Sequence, residues 1–219
     1  MWDSASLVTD HTVLSVVVGS RAYGLSTAAS DTDRRGVFVA PTPLFWRLDK
    51  PPTHIEGPLP EQFSWEVERF CELALAANPT VLECLWSPLV ERATPVGEEL
   101  RALRRGFLSR RALGTFERYA ARQYRRLDPA APRWKMAMHL IRLLLSARHL
   151  ALHGEPLLDV SPHRDRLLAL RRGELSWAEV DRWRAQLADG LGADGGPLPE
   201  APDHAAVEAF LTGVRRAHL

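Results

Sequence analysis

Val13-Leu14-Ser15-Val16-Val17-Val18 is a largely β-branched run that stops at Gly19-Ser20. After ten intervening residues the chain reads Asp31-Thr32-Asp33, then Arg34-Arg35-Gly36-Val37. A short apolar run closed by glycine is the pattern of a mostly buried strand. Ser20 to Ser26 then opens a short helix. Asp31 to Val39 reads as a second strand, because Thr32, Val37, Phe38 and Val39 favour extended backbone. Strand, turn, short helix and acidic strand, in that order, commit the front of the chain to an α/β layer.

The two acids carry the chemistry. Alternate side chains of a strand share a face, so Asp31 and Asp33 are expected to project together. Adjacent carboxylates repel unless a cation lies between them. Two magnesium ions about 3.5–4 Å apart would supply that charge and serve in-line phosphoryl transfer. Magnesium takes few carboxylates and fills its shell with water and phosphate oxygens, and manganese can replace it. Gly19 lets the backbone approach a phosphate, the Ser20 hydroxyl adds a donor and Arg21 adds charge. The helix N-terminus itself favours an anion. A solitary DxD or a solitary Gly-Ser is more often a turn or a solvated edge. The ordered combination is what points to a nucleotide.

Beyond Val39, prolines 41, 43, 51, 52, 58 and 60 punctuate a loop-rich stretch. Phe63 to Val67 reads as a third strand or as the entry to the helix Glu68–Ala77. Asn78-Pro79-Thr80 stops that helix and caps the next, Val81–Trp86. From residue 97 the pattern is helical: Gly97–Arg104, Arg110–Arg126, Arg133–His153, Pro162–Arg172 and Ser176–Leu187. Ser176-Trp177-Ala178-Glu179 fits a capping box. A Gly/Pro-rich stretch, Gly190 to Pro202, precedes a last helix, Ala205–Ala217. The expected fold is α/β (α+β), with a mixed-sheet domain over 1–105 and an all-α helical domain over 106–219.

Bulk properties exclude some classes. A formal net charge of +1 advertises no global attraction to nucleic acid or membrane. Cys71 and Cys84 form no CxxC pair, and no secretory signal is evident at the N-terminus, so a reduced, cytoplasmic setting with both thiols buried is expected. The run Met136–Leu145 is interrupted by His139 and Arg142 and is too short and polar for a bilayer span. No membrane partner is expected.

The helix Arg133–His153 makes a second, independent signal. Lys135, His139, Arg142, Ser146, His149 and His153 recur at spacings of 4, 3, 4, 3 and 4 residues, within an arc of roughly 80°. Most of the remaining positions are apolar. The stripe holds no acid, and Lys135 is one of only two lysines, the other being Lys50. A face of cations and neutrals attracts an anion, so Lys135, His139 and Arg142 are assigned to a triphosphate and the face is expected to stay wet. His149 and His153 are placed outside the site. Tyr119 and Gln123 read as packing. Arg104-Arg105, Arg110-Arg111 and Arg125-Arg126 read as solvated surface, since Glu98, Glu99, Glu117 and Asp128 offset them.

Gly19-Ser20 with Asp31-Thr32-Asp33 resembles the signature of the DNA polymerase β superfamily of nucleotidyltransferases. Gly19-Ser-Arg-Ala-Tyr-Gly24, Ser30-Asp-Thr-Asp33 and Arg35-Gly-Val37 resemble one branch of predicted nucleotidyltransferases, which includes the RNA-ligase-associated (RlaP-like) group. Trp65-Glu66-Val67, Asn78 to Glu83, and Lys135 through His139 to Arg142 resemble the same branch, so the likeness runs from about Val13 to Glu174. It implies a polymerase β-type fold, magnesium and an NTP donor. It also implies a third carboxylate on a neighbouring strand, with Glu66 the first choice and Glu56 and Glu61 the alternatives. The implied reaction moves an NMP from an NTP to an acceptor hydroxyl, with Asp31, Asp33 and Glu66 as catalytic metal ligands. An RNA end is favoured as acceptor, with a protein side chain or a small molecule open. The alternative from another class is a non-catalytic, antitoxin-like nucleotide-binding module. Two mutually repelling carboxylates argue against that, and the lack of a His-Asp metal doublet argues against a phosphohydrolase.

Overall fold

A computed structural model describes residues 4–191 and 196–219. The chain divides into two compact units. The first holds the residues up to Ala22, Thr27–Phe107 and Pro202–Leu219, and the second holds Tyr23–Ser26 and Leu108–Ala201. Division at 105/106 would assign the last helix to the C-terminal half; here it groups with the first unit.

In the first unit the elements run α1 (Ser4–His11), β1 (Thr12–Val18), α2 (Gly19–Ala22), β2 (Asp33–Phe38), β3 (His54–Glu56), β4 (Gln62–Glu66), α3 (Val67–Leu75), α4 (Pro79–Trp86), β5 (Val90–Ala93) and α5 (Pro95–Ala102). The last helix, His204–Ala217, is numbered α10 below. Among the described residues the strands form one five-stranded mixed sheet in the order β3-β4-β2-β1-β5. β1 is buried along its whole length, as its valine run requires, and pairs antiparallel with β2 and β5. β4 pairs parallel with β2 and antiparallel with β3. Alternation along β2 sends Phe38 to one face, where it clusters with Leu7 and Val8 of α1, Ala40, Ile55, Leu44 and Phe45. Val37 and its register partner Trp65 point the other way, where Phe70 of α3 meets the Trp65 ring at 6.0 Å.

Phe63 to Val67 divides at Glu66. Gln62–Glu66 is strand, and the Glu66 carboxylate caps α3 by accepting from Glu68 N–H. Asn78 caps α4 by accepting from the N–H groups of Thr80 and Val81, with Pro79 in the first turn, as the sequence predicts. Cys71 and Cys84 are both buried, and burial pushes each thiol up to about 12, so neither supplies a thiolate at neutral pH.

The second unit is helical: α6 (Arg110–Tyr124), α7 (Trp134–His153), α8 (Arg164–Arg172) and α9 (Trp177–Ala188). α6, α8 and α9 all pack on α7. The sequence places each of these within a few residues of its observed ends. The Ser176/Glu179 capping box is present in both directions. Gly154 ends α7 in the left-handed conformation, φ +74°, which only glycine adopts without strain. No helix of the described residues is long and apolar enough to cross a membrane.

Candidate active site

Topology gathers the reactive groups at one end of the sheet. β1 ends there at Val18, which pairs with Asp33 at the start of β2. Gly19 follows with φ +70°, and its Cα faces the Asp33 side chain. A Cβ at Gly19 would stand 3.1 Å from Asp33 Cγ and 3.4 Å from Asp33 Cβ, and would collide with Oδ2. Glycine is therefore required twice, for its backbone angle and for the acid that occupies the place of its side chain. The turn and the second acid of the DxD thus stand in direct apposition.

The first acid is placed differently from expectation. β2 begins at Asp33, so Asp31 and Thr32 precede the strand instead of opening it. The cause is the partner strand. β1 has turned into α2 at Gly19, so no ladder remains for Asp31 to join. Arg21 instead holds this segment through its main chain, donating to the carbonyls of Asp31 at 3.2 Å and Ser30 at 3.0 Å. α2 is four residues long, so its dipole adds little, and the close approach at Gly19 is the stronger feature.

Among the described residues no cationic side chain is paired with Asp33. Three arginines lie near it in sequence, yet each is engaged elsewhere. Arg34 pairs with Glu91 at 3.1 Å. Arg35 donates to the carbonyls of Arg34 at 2.7 Å and Glu61 at 3.2 Å. Arg21 is spent on the carbonyls just named. Among the described residues neither Asp31 nor Asp33 is tied into an ion pair or a side-chain hydrogen bond. Unpaired hard oxygens beside a backbone notch suit magnesium with phosphate oxygens.

Glu66 is not part of this site, and its role as third metal ligand is overturned. It stands beside Phe38, five residues along β2 from Asp33 and on the opposite face. That is roughly 16 Å at ~3.3 Å per residue. Its carboxylate is 4% exposed and accepts two hydrogen bonds from Arg215 of α10, at 2.8 and 2.9 Å. A buried acid holding a guanidinium with both oxygens has none left for a cation. The aromatic-Glu-aliphatic signal was real, but it marks an ion pair with a residue 149 positions away. At the reactive end the neighbouring acid is Glu61. It lies one residue before β4, at the register position beside Asp33, and its carbonyl accepts from Arg34 N–H at 2.9 Å. Glu56 lies on the next strand over, paired with Phe63. Among the described residues no group of three or more His, Cys, Asp or Glu side chains is gathered for a metal.

In the second unit α7 brings Lys135, His139 and Arg142 together, and Arg171 of α8 joins them, a member that only the packing of α8 on α7 reveals. The expectation that this face is wet along its length fails. Arg142 is buried, with its guanidinium 3.8 Å over the Tyr23 ring. Ser146 is fully buried and its Oγ accepts from Leu157 N–H, while His149 Nδ1 lies 2.8 Å from the Glu155 carbonyl. The chain after Gly154 thus returns over the distal half of the stripe. Neutral polar side chains on a helix can anchor a loop as readily as water, and spacing does not distinguish the two.

Burial and the charges of Arg142, Lys135 and Arg171 push His139 down to about 4. An NMR titration should therefore find His139 neutral from pH 5 upward. The unfolded chain takes up this proton first, near the ordinary 6.5, so this group's share of stability is full above pH 6.5 and falls as pH drops toward about 4. A midpoint of 6 or higher would show an open, solvated ring.

A parallel-antiparallel sheet whose glycine turn receives the second acid of a DxD is the arrangement expected of a polymerase β-type nucleotidyltransferase. The chain belongs to the RlaP family, described as the RNA repair pathway DNA polymerase beta family, which matches residues 5–192. It is also similar to the "Uncharacterized protein YcgL" of Bacillus subtilis (strain 168), with 32% identity over 96 residues. That alignment covers 42% of this chain and 37% of the relative, so the chain spans well under half the relative's length. No solved structure matches the chain.

Proposed function

We propose that the protein is a magnesium-dependent nucleotidyltransferase, moving an NMP from an NTP to an acceptor hydroxyl with release of pyrophosphate. The observation that carries this reading is the unpaired Asp33 carboxylate set against the Gly19 backbone. In this reading the Gly19-Ser20 turn seats the triphosphate, with Arg21 keeping the Ser30-Asp31 segment against it. Asp31 and Asp33 are the metal-holding acids. Magnesium, or manganese in its place, would neutralise the triphosphate charge and favour in-line displacement. Glu61, beside Asp33, takes the place first given to Glu66 and accepts the proton of the attacking hydroxyl. Lys135, His139 and Arg142 keep the nucleotide-binding role proposed for them, supported by the positive charge that Lys135 and Arg142 concentrate on one helix beside a neutral His139.

The test is label transfer from α-labelled NTPs with magnesium to a panel of RNAs, cellular proteins and aminoglycosides, comparing wild type with Asp31→Asn. Transfer that requires Asp31 and metal is expected. Nucleotide binding without transfer, unaffected by chelation, would assign the protein to the non-catalytic class instead.

A further inference from the structure

Resting on that reading, we infer that the hollow over the start of β4, on the strand that neighbours β2 and its Asp33, is the acceptor subsite, built for the terminal ribonucleoside of an RNA bearing a free 2′,3′-diol. The hollow measures about 390 Å³ and is lined by Arg35, Glu56, Gly57, Leu59, Glu61, Gln62 and Phe63, all within the first unit. Three features lead to this assignment.

The first is position. The strand order β3-β4-β2-β1 puts the Gly19-Ser20 turn on one side of Asp33 and the hollow on the other. In-line displacement needs the attacking oxygen opposite the leaving pyrophosphate. With the triphosphate on the β1 side, the acceptor enters from the β4 side. Arg35, Phe63 and Glu56 are register partners across β2, β4 and β3, on the sheet face to which Asp33 belongs.

The second is charge. Arg35 is the lone cation of the lining and already serves two carbonyls. Against it stand the carboxylates of Glu56 and Glu61. Such a hollow repels a phosphate and accepts hydrogen bonds, so the group beside the reacting oxygen must be a donor. Glu56 is exposed and has no ion pair or side-chain hydrogen bond among the described residues. A carboxylate with both oxygens open fits the two hydroxyls of a ribose, as acidic residues do where they read a ribose 2′-OH.

The third is the wall. Phe63 lines the hollow and is fixed by a stacked His54 at 5.2 Å and an edge-on Trp65 at 4.8 Å. Rigid aromatic surface at a hollow of this size suits an unstacked base, and single-stranded RNA ends present one. In the step itself the terminal hydroxyl oxygen bonds to the α-phosphorus. The bond from that phosphorus to the bridging oxygen breaks, and pyrophosphate leaves with the electron pair. The hydroxyl proton passes to Glu61.

The experiment compares three single-stranded RNAs that differ only at the 3′ end: a ribose diol, a 2′-deoxyribose with a 3′-OH, and a 2′-OH with a 3′-phosphate. Wild type and Glu56→Gln are assayed with each, and KM is measured separately for acceptor and NTP. The diol end should be preferred over the 2′-deoxy end by about tenfold in kcat/KM, the worth of one hydrogen bond to a charged group, and the 3′-phosphate end should be refused. Glu56→Gln should raise the acceptor KM about tenfold, leave the NTP KM unchanged and erase the preference for the diol. Equal use of the deoxy end, or a preference that survives Glu56→Gln, overturns the subsite. Transfer to a protein or an aminoglycoside but not to RNA also overturns it, while leaving the nucleotidyltransferase reading intact. Absence of transfer to every acceptor overturns both.

Discussion

Asp33→Asn protein should lose nucleotide transfer by on the order of 10³-fold or more, yet unfold in metal-free buffer at a temperature close to that of wild type. The loss follows from removing one of the two acids assigned to hold magnesium, whose charge stabilisation amounts to several kcal/mol in such sites. The preserved stability follows from what surrounds the residue. Asp33 is half-buried against Gly19, and Arg21, Arg34 and Arg35 all bond elsewhere. Among the described residues its negative charge supports no ion pair or side-chain hydrogen bond, so an amide of the same shape should cost the fold little. Magnesium with nucleotide should raise the melting temperature of wild type by mass action and leave the variant unmoved. Transfer within tenfold of wild type would remove Asp33 from the chemistry. A variant that melts well below wild type would show that the carboxylate was a structural partner after all.

Local signals were legible in this chain, and long-range ones were not. The valine run, the caps at Asn78 and Ser176, and the 3.6-residue pattern of α7 are written within a few positions, and the structure reproduces them. The Gly19–Asp33 apposition was legible for a related reason: strands consecutive in the chain commonly pair with each other, which brings the end of one beside the start of the next. The three-residue β3 and the four-residue β5 escaped notice because strands so short carry too little alternation to register, and each is fixed by its neighbour in the sheet. α1 was missed as well, its burial being confined to Leu7 and Val8.

Glu66 shows the limit in the site itself. An acid between an aromatic and a valine near a strand end looks the same whether it faces a metal or an arginine. What decides is Arg215, on a helix that the sequence divided from the first half. The same applies to Arg142 and Ser146. Their spacing placed them on a polar face, but whether water or the chain after Gly154 lies over that face is a matter of tertiary return.

The Glu66–Arg215 pair carries the other large expected effect. Arg215 sits over the Phe45 ring at 4.2 Å, gives both Glu66 oxygens a hydrogen bond and reaches Glu68 at 3.0 Å. Its own backbone carbonyl accepts from Thr42 Oγ1, so α10 is fastened to the first unit through one residue from both directions. Burial alone would lower the Arg215 pKa, but the hydrogen bonds and charges of Glu66 and Glu68 outweigh it and hold the group further above its ordinary value. Arg215→Ala leaves Glu66 charged, buried and without its partner, and breaking a buried pair in this way costs about 3–5 kcal/mol. For a chain of this size that corresponds to roughly 6–20 °C in melting temperature. Glu66→Gln should destabilise in the same direction but by less, because the amide keeps one acceptor for the guanidinium. Replacing both partners, Glu66→Leu with Arg215→Met, should recover most of the loss, since hydrophobic substitution of a buried pair is often neutral. The cycle also separates the two roles considered for Glu66. A metal ligand changed to glutamine would abolish transfer and spare the melting temperature, whereas a structural anchor lowers the melting temperature and leaves transfer by the folded fraction within a fewfold of wild type. An Arg215→Ala protein melting within a degree of wild type would show that the buried ion pair does not hold the C-terminal helix.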